Sequence, residues 1–256
     1  MSFTEKTNRL LRLFSRKKKP KTAAVILAAG IGSRMKTADN VTKQFLMLDG
    51  KPLFMHSVLA FDASPYIDEI VLVVNRDELY KMRKAMKQCK TQKPFRMTVG
   101  GETRQISALR GMEAVSEDMA YIAVHDAARC LVTPEMIADV AAAAYASRAA
   151  SAGCRVTDTV KVVSKDRFVE KTLDRNTLFR AQTPQIFETK LYRAAAYVAL
   201  EKKENVTDDN QLVELLGHTV KMVDCGYENL KVTTQEDLYF AEAVLKMRRE
   251  RQGKKA

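Results

Sequence analysis

The sequence predicts an α/β fold: a doubly wound, mostly parallel sheet with a β-hairpin arm inserted in its second half. Three observations point there. Short apolar runs such as Ala23–Ala29 and Glu69–Val74 alternate four times with stretches of helical periodicity. Apart from Glu69 those two runs are apolar, as strands buried on both faces are. Near residue 150 the pattern breaks, and strand-like runs follow one another across a polar turn instead of a helix.

Taken in order, Ala23–Ala29 is the first buried strand and stops at Gly30. Gln44–Leu48 reads as a brief strand before the DGKP turn, and Pro52 opens a helix continuing to Phe61. Glu69–Val74 is the second strand, Arg76–Lys90 an exposed helix, and Phe95–Val99 a third strand ending at Gly100 and Gly101. Thr103–Val115 fits a helix with Ile106, Leu109, Met112 and Ala114 inward. Tyr121–His125 is the fourth strand, and Pro134–Ala146 an Ala-rich helix with Thr133 as its N-cap. Ser151–Cys154, Thr159–Val163 and Phe168–Lys171 read as strands, the last two as a hairpin. Such an arm has an edge to cover and is a candidate dimer contact. Residues 178–187 return to the sheet, helices follow over 188–201 and 208–216, short strands over 220–223 and 230–232, and Gln235–Arg249 closes the chain. The expected organisation is a basic tail over 1–21, one domain over 22–245 with its arm at about 152–180, and a basic tail over 246–256.

The net charge of +12 is concentrated at the ends. Residues 1–21 carry +7 and residues 246–256 carry +5, so the body is neutral. A nucleic-acid-binding fold would carry a basic face on its body, which argues against that function. In the first segment, Leu10, Leu11, Leu13 and Phe14 before RKKKPK fit either a basic tail or a short amphipathic helix. No run of 18 apolar residues exists, so no stable membrane insertion is expected, and without a secretory pattern the expected address is cytoplasmic. Cys89, Cys130, Cys154 and Cys225 are widely spaced, with no CxxC, and read as buried free thiols.

The chemistry centres on residues 23–43. After the first strand come Gly30, Gly32, Arg34 and Lys43. Backbone without bulk lets N–H groups approach phosphate oxygens, and two cations add charge. The spacing is neither GxxxxGK[ST] nor GxGxxG, so a plain strand-to-helix turn is the competing reading of the glycines. Asp126, in VHDAAR, is a carboxylate at a strand's carboxyl end, suited to a metal or ligand, or else to an ion pair with Arg129. GGxTRQxS presents Gly100, Gly101, Arg104 and Ser107 at a helix start, where free N–H groups meet anions or a base edge. Thr159, Lys161, Arg175 and Thr183 lie in or beside the arm and individually read as solvated strand residues. Thr207-Asp208-Asp209 is a capping sequence, and Lys231 alone is unremarkable.

Together LAAGxGxRM, KQFL, GGxTRQxS, VHDAAR, DTVK, DRNxLxxAQTPQ, TDD and ENxKVTxxEDL occur in order from about residue 23 to 245. This string resembles the 2-C-methyl-D-erythritol 4-phosphate cytidylyltransferases, within the sugar-phosphate nucleotidyltransferases. The resemblance implies a Rossmann-like nucleotidyltransferase fold, and cytidylyl transfer from CTP to a polyol phosphate. Arg34 and Lys43 would stabilise the transition state. Ala28, Ala29, Gly30 and Gly32 would hold the CTP phosphates and base, Gly101, Glu102 and Ser107 the cytosine and ribose, and Lys231 the phosphates. Asp126 would serve Mg2+ and orient a substrate hydroxyl. Thr159, Lys161, Arg175 and Thr183 would grip the second substrate, with Arg175 reaching across a homodimer. Two departures stand out. Cys130 follows VHDAAR where the family usually has Pro, and the stretch from Met35 to Lys43 is longer than in some members. A ribitol-5-phosphate cytidylyltransferase shares the front half of the pattern. A non-catalytic basic protein binding nucleic acid or a membrane surface is the alternative of a different class.

Overall fold

Seven strands form one sheet, and β1, Thr22–Ala28, is an interior strand of it, every residue of which is buried. The structure is a computed structural model and describes residues 19–30 and 42–253. After β1, a 3₁₀ turn covers Lys43–Phe45, and β2 (Met47–Leu48) pairs with β3 (Lys51–Pro52). Of the strand expected over Gln44–Leu48, Met47–Leu48 forms, while Gln44 and Phe45 belong to the 3₁₀ turn, closed by the Phe45 and Leu46 amides on the Thr42 and Lys43 carbonyls. There follow α1 (Leu53–Ala63), β4 (Glu69–Val74), α2 (Leu79–Gln88), β5 (Phe95–Val99) and α3 (Arg104–Glu113). Next come β6 (Tyr121–Asp126), α4 (Pro134–Ser147) and β7 (Ala149–Arg155). The arm is β8 (Lys161–Val163) against β9 (Val169–Thr172), and β10 (Phe179–Glu188) re-enters the sheet. Finally come α5 (Thr189–Glu201), α6 (Asp209–Glu214), β11 (Lys221–Asp224) and α7 (Gln235–Gly253).

The sheet order is β11-β7-β10-β6-β1-β4-β5. All neighbours are parallel except β10, which runs antiparallel between β6 and β7. The doubly wound reading holds because β1 alternates its side chains between two cores. Ala24, Ile26 and Ala28 pack on one side with residues of α1, α2 and α4. Ala23, Val25 and Leu27 pack on the other with residues of α3, α5 and α6. Each buried Val, Ile or Leu there contributes about 1.5–3 kcal/mol. A third cluster joins Leu48, Leu53, Cys130 and Val232 to Leu238 and Ala241 of α7.

Two further expectations are corrected. Residues 230–232 are not a strand. Val232 is buried and gives its N–H to the Ala128 carbonyl, so the segment crosses the strand ends instead of joining the sheet. The basic tail expected from Lys246 is largely helix, because α7 runs to Gly253. Arg248 and Arg251 pair with Glu228, and Arg249 with Asp49. Of the N-terminal segment, Lys19 pairs with Asp68 and Lys21 with Asp118, while residues 1–18 lie outside the described residues.

Candidate active site

The carboxyl ends of β1, β4, β5 and β6 open into one cavity of about 760 Å³. Parallel sheets place ligands there. Of the residues singled out from the sequence, Ala29, Gly30, Lys43, Gly101, Glu102, Ser107, Asp126 and Lys231 line it. Ala28 is wholly buried in β1 just below. Gly32 and Arg34 lie outside the described residues. Five lining side chains are cationic, Lys43, Arg76, Arg104, Arg110 and Lys231, against the acids Glu102 and Asp126. The wall therefore favours a polyanion.

Gly100 and Gly101 are required by close approach. A Cβ on Gly100 would sit 2.6 Å from the Ala29 Cβ and 2.7 Å from Ser107 Oγ. One on Gly101 would sit 2.2 Å from Ile106 Cγ2. Ser107, in the first turn of α3, takes the Gly101 N–H on its hydroxyl at 3.0 Å. Thr103 caps α3 by accepting the Ile106 N–H at 3.1 Å. Arg110 donates to the Gly100 carbonyl at 2.6 Å. Ser107 and Arg110 thus hold the wall that follows β5.

Asp126, at the end of β6, is held by two cations. Arg104 Nε donates to Oδ1 at 3.0 Å and Lys231 Nζ to Oδ2 at 2.7 Å. Burial opposes its charge, but Arg104 and Lys231 overcome this and hold the carboxyl well below the ordinary carboxylate range. The alternative reading, an ion pair with Arg129, is not among the pairs of Asp126: Arg129 donates to the Asn229 and Ala181 carbonyls. Asn229, fully buried, in turn donates to Gln182 Oε1 and the Thr183 carbonyl. These bonds clamp the segment carrying Lys231 against β10. Asp237 of α7 gathers the Thr233 and Thr234 amides on one oxygen and fixes the segment's far end.

Thr183 is buried behind Asp126. Its hydroxyl oxygen accepts the Asp126 N–H at 3.0 Å and lies 3.0 Å from His125 Nδ1. His125 is fully buried beside Phe61, and burial pushes its pKa down to about 3, so the ring is neutral. Thr159, Lys161 and Arg175 are not among the residues lining this cavity. They are exposed on the arm, where Lys161 donates to Thr172 Oγ1 at 2.7 Å and Arg175 to the Thr157 carbonyl at 2.7 Å. Cys130 is buried in the third cluster, and burial pushes its thiol up to about 12, so it packs as an apolar group.

As to a metal, no group of three or more His, Cys, Asp or Glu is gathered among the described residues. Asp126 is one of two lining carboxylates, and each of its oxygens takes one cationic donor. That donor set cannot cage an ion alone. A carboxylate oxygen keeps a second lone pair, so Asp126 would give one ligand to a cation such as Mg2+, with phosphate oxygens and water as the others.

The sequence reading placed Arg104 at a helix start and Asp209 in a capping sequence, and did not join the two. Arg104 Nη1 donates to Asp209 Oδ2 at 2.7 Å, and Asp209 is buried at the start of α6. TDD announced a cap, and Asp208 does cap α6 by accepting the Gln211 N–H at 3.2 Å. Two acids in a row, where one suffices for capping, was the available signal.

The profile of the 2-C-methyl-D-erythritol 4-phosphate cytidylyltransferase family matches residues 22–247. The chain belongs to that family. Similar members include the 2-C-methyl-D-erythritol 4-phosphate cytidylyltransferase of Caldanaerobacter subterraneus, 42% identical over 88% of this chain and 98% of that protein. That of Pelotomaculum thermopropionicum is 43% identical over 90% of this chain and 97% of that protein. The crystal structure of 4-diphosphocytidyl-2C-methyl-D-erythritol synthase from Anaerococcus prevotii superposes with a TM-score of 0.80 at 28% identity, covering 89% of this chain and 97% of that one. The Thermus thermophilus 2-C-methyl-D-erythritol 4-phosphate cytidylyltransferase gives 0.71 at 29%, covering 88% and 98%. In this cytidylyltransferase-family chain, no helix of the described residues is long and apolar enough to cross a membrane.

Proposed function

We propose that this chain transfers the cytidylyl group of CTP to 2-C-methyl-D-erythritol 4-phosphate, releasing pyrophosphate, in isoprenoid precursor synthesis by the non-mevalonate route. The observation that carries this reading is five cationic side chains on one cavity at the sheet's carboxyl ends, in a chain of that family. A phosphate monoester at pH 7 is already largely dianionic and needs no general base. The obstacle is repulsion between two anions, which fixed positive charge offsets. A phosphate oxygen of the second substrate bonds to the α-phosphorus of CTP. The bond from that phosphorus to the oxygen bridging it to the β-phosphorus breaks, and pyrophosphate leaves with the electron pair.

In this reading Lys43 and Arg34 stabilise charge on the transferring phosphoryl group. The backbone of Ala28, Ala29, Gly30 and Gly32 lies along the phosphates and base, and Gly101, Glu102 and Ser107 shape the wall for cytosine and ribose. Lys231 holds phosphate, and Asp126 with the nucleotide phosphates would hold Mg2+. Bound there, the ion would screen phosphate charge. Thr183, behind Asp126, serves the second substrate by holding that residue in place, and Thr159, Lys161 and Arg175 serve it from a partner subunit. The exposed apolar residues Val162, Val163, Phe168 and Val169 on the arm support a homodimer. The neutral body supports a role without nucleic acid, and four free cysteines suit a reducing cytoplasm.

Pyrophosphate release with CTP, Mg2+ and methylerythritol phosphate tests this. Wild type turns over, and Lys43→Ala and Arg34→Ala each lose at least about a hundredfold. Turnover of ribitol phosphate alone, or full activity in both variants, would reject the reading.

A further inference from the structure

Four charged side chains alternate in sign from the cavity into the core. Lys231 Nζ meets Asp126 Oδ2 at 2.7 Å, Arg104 Nε meets Asp126 Oδ1 at 3.0 Å, and Arg104 Nη1 meets Asp209 Oδ2 at 2.7 Å. Behind them the Tyr192 hydroxyl donates to Asp209 Oδ1 at 2.6 Å, and the Asp209 N–H donates to Gln185 Oε1 at 2.9 Å. Asp209 and Tyr192 are fully buried, whereas the Arg104 side chain keeps 30% of its surface and lines the cavity. Burying a carboxylate costs several kcal/mol, and a buried ion pair is seldom more stabilising than apolar packing of the same volume. Stability therefore does not account for Asp209. What the carboxylate does is aim a guanidinium. Arg104 has five N–H groups in a rigid fork. Two of them meet carboxylates on two different elements, which fixes the plane of the fork in the cavity wall next to the Gly100–Gly101 turn.

We propose that Arg104 is a further nucleotide-phosphate contact of the cavity, and that Asp209, seconded by Tyr192, is the positioning residue that aims it. The proposal rests on the nucleotidyl-transfer reading and extends it to residues outside the Gly-rich loop. An arginine held this way presents its remaining N–H groups to a phosphate in one orientation, without ordering a free side chain at the moment of binding. A lysine there would keep the charge and lose the fork.

The test compares CTP and methylerythritol phosphate kinetics for wild type, Arg104→Lys, Arg104→Gln, Asp209→Asn and the double variant Asp209→Asn/Arg104→Gln. Expected is a rise in KM for CTP of about tenfold or more in Asp209→Asn and in both Arg104 variants, the scale of one charged hydrogen bond. KM for methylerythritol phosphate should stay within about threefold. Asp209→Asn should add nothing once Arg104 is Gln, since it acts through that side chain. Tyr192→Phe, a milder change, should shift KM for CTP in the same direction and serves if Asp209→Asn does not fold. Equal rises in both KM values, an Asp209→Asn effect that persists beside Arg104→Gln, or a fully active Arg104→Lys would overturn the proposal. Failure of the wild type itself to turn over CTP would instead reject the reading beneath it.

Discussion

Gly100 shows how tightly single residues are specified around the cavity. Its missing Cβ is space used by the Ala29 Cβ and Ser107 Oγ. Gly100→Ala therefore pushes the end of β1 away from the start of α3. We expect a stability loss of about 1–3 kcal/mol, the range of overpacking, and at least about a tenfold rise in KM for CTP. Denaturant titration and initial rates read the two effects, and an unchanged KM would contradict the wall described here. His125 makes a second residue-scale prediction. Its ring is neutral in the fold down to about pH 3, while the unfolded chain takes up the proton below about pH 6.5. The stabilisation is complete above that pH. It fades by about 1.4 kcal/mol per pH unit as pH falls toward the folded value. Urea unfolding from pH 7.5 to 4.5 should show this slope, and His125→Asn should lack one proton's share of it. Identical slopes in the two proteins would count against a buried neutral ring. Asp126, whose folded pKa is depressed, adds a loss that begins only below about pH 4.

Among the elements, the segment between β11 and α7 deserves the closest test, because it has no secondary structure of its own and yet carries Lys231. It is held by side chains. Asn229 reaches Gln182 and the Thr183 carbonyl, Arg129 reaches the Asn229 carbonyl, and Asp237 reaches Thr233 and Thr234. Asn229→Ala removes the first of these contacts and leaves buried partners unsatisfied. It should cost about 1–3 kcal/mol. Turnover should fall more than stability alone requires, because Lys231 loses its place against Asp126. Melting curves and kcat at a temperature where the variant is folded check this, and wild-type kcat would refute it.

The whole molecule combines a cavity with cations inside it and an arm whose cations are outside it. Thr159, Lys161 and Arg175 are exposed and not among the lining residues, and the proposed dimer gives them the cavity of a second copy to serve. The proposed homodimer has a direct test. Lys43→Ala and Arg175→Ala protomers, each nearly inactive alone, should regain about a quarter of wild-type activity when mixed and allowed to exchange, since half the sites in half the dimers are then intact. No recovery after demonstrated exchange would place Arg175 in its own protomer's chemistry or in none. Sedimentation should find the proposed dimer in wild type and a weaker one in Phe168→Asp, and a wild-type monomer would refute it.

By itself the sequence determined the alternation of strands and helices, the burial of β1, and the residues gathered at the strand ends. These follow from local periodicity, from glycine and from capping, which act over a few residues. Thr103, Thr133 and Asp208 all cap helices that the pattern announced. Only the tertiary structure decided that β10 would run antiparallel between β6 and β7, that residues 230–232 would cross the strand ends, and that α7 would continue to Gly253. It alone joined Arg104 to Asp126 across 22 positions and to Asp209 across 105. Such pairs have no period and no local propensity. Their partners are chosen by which strand ends lie side by side once the two faces of the sheet are buried.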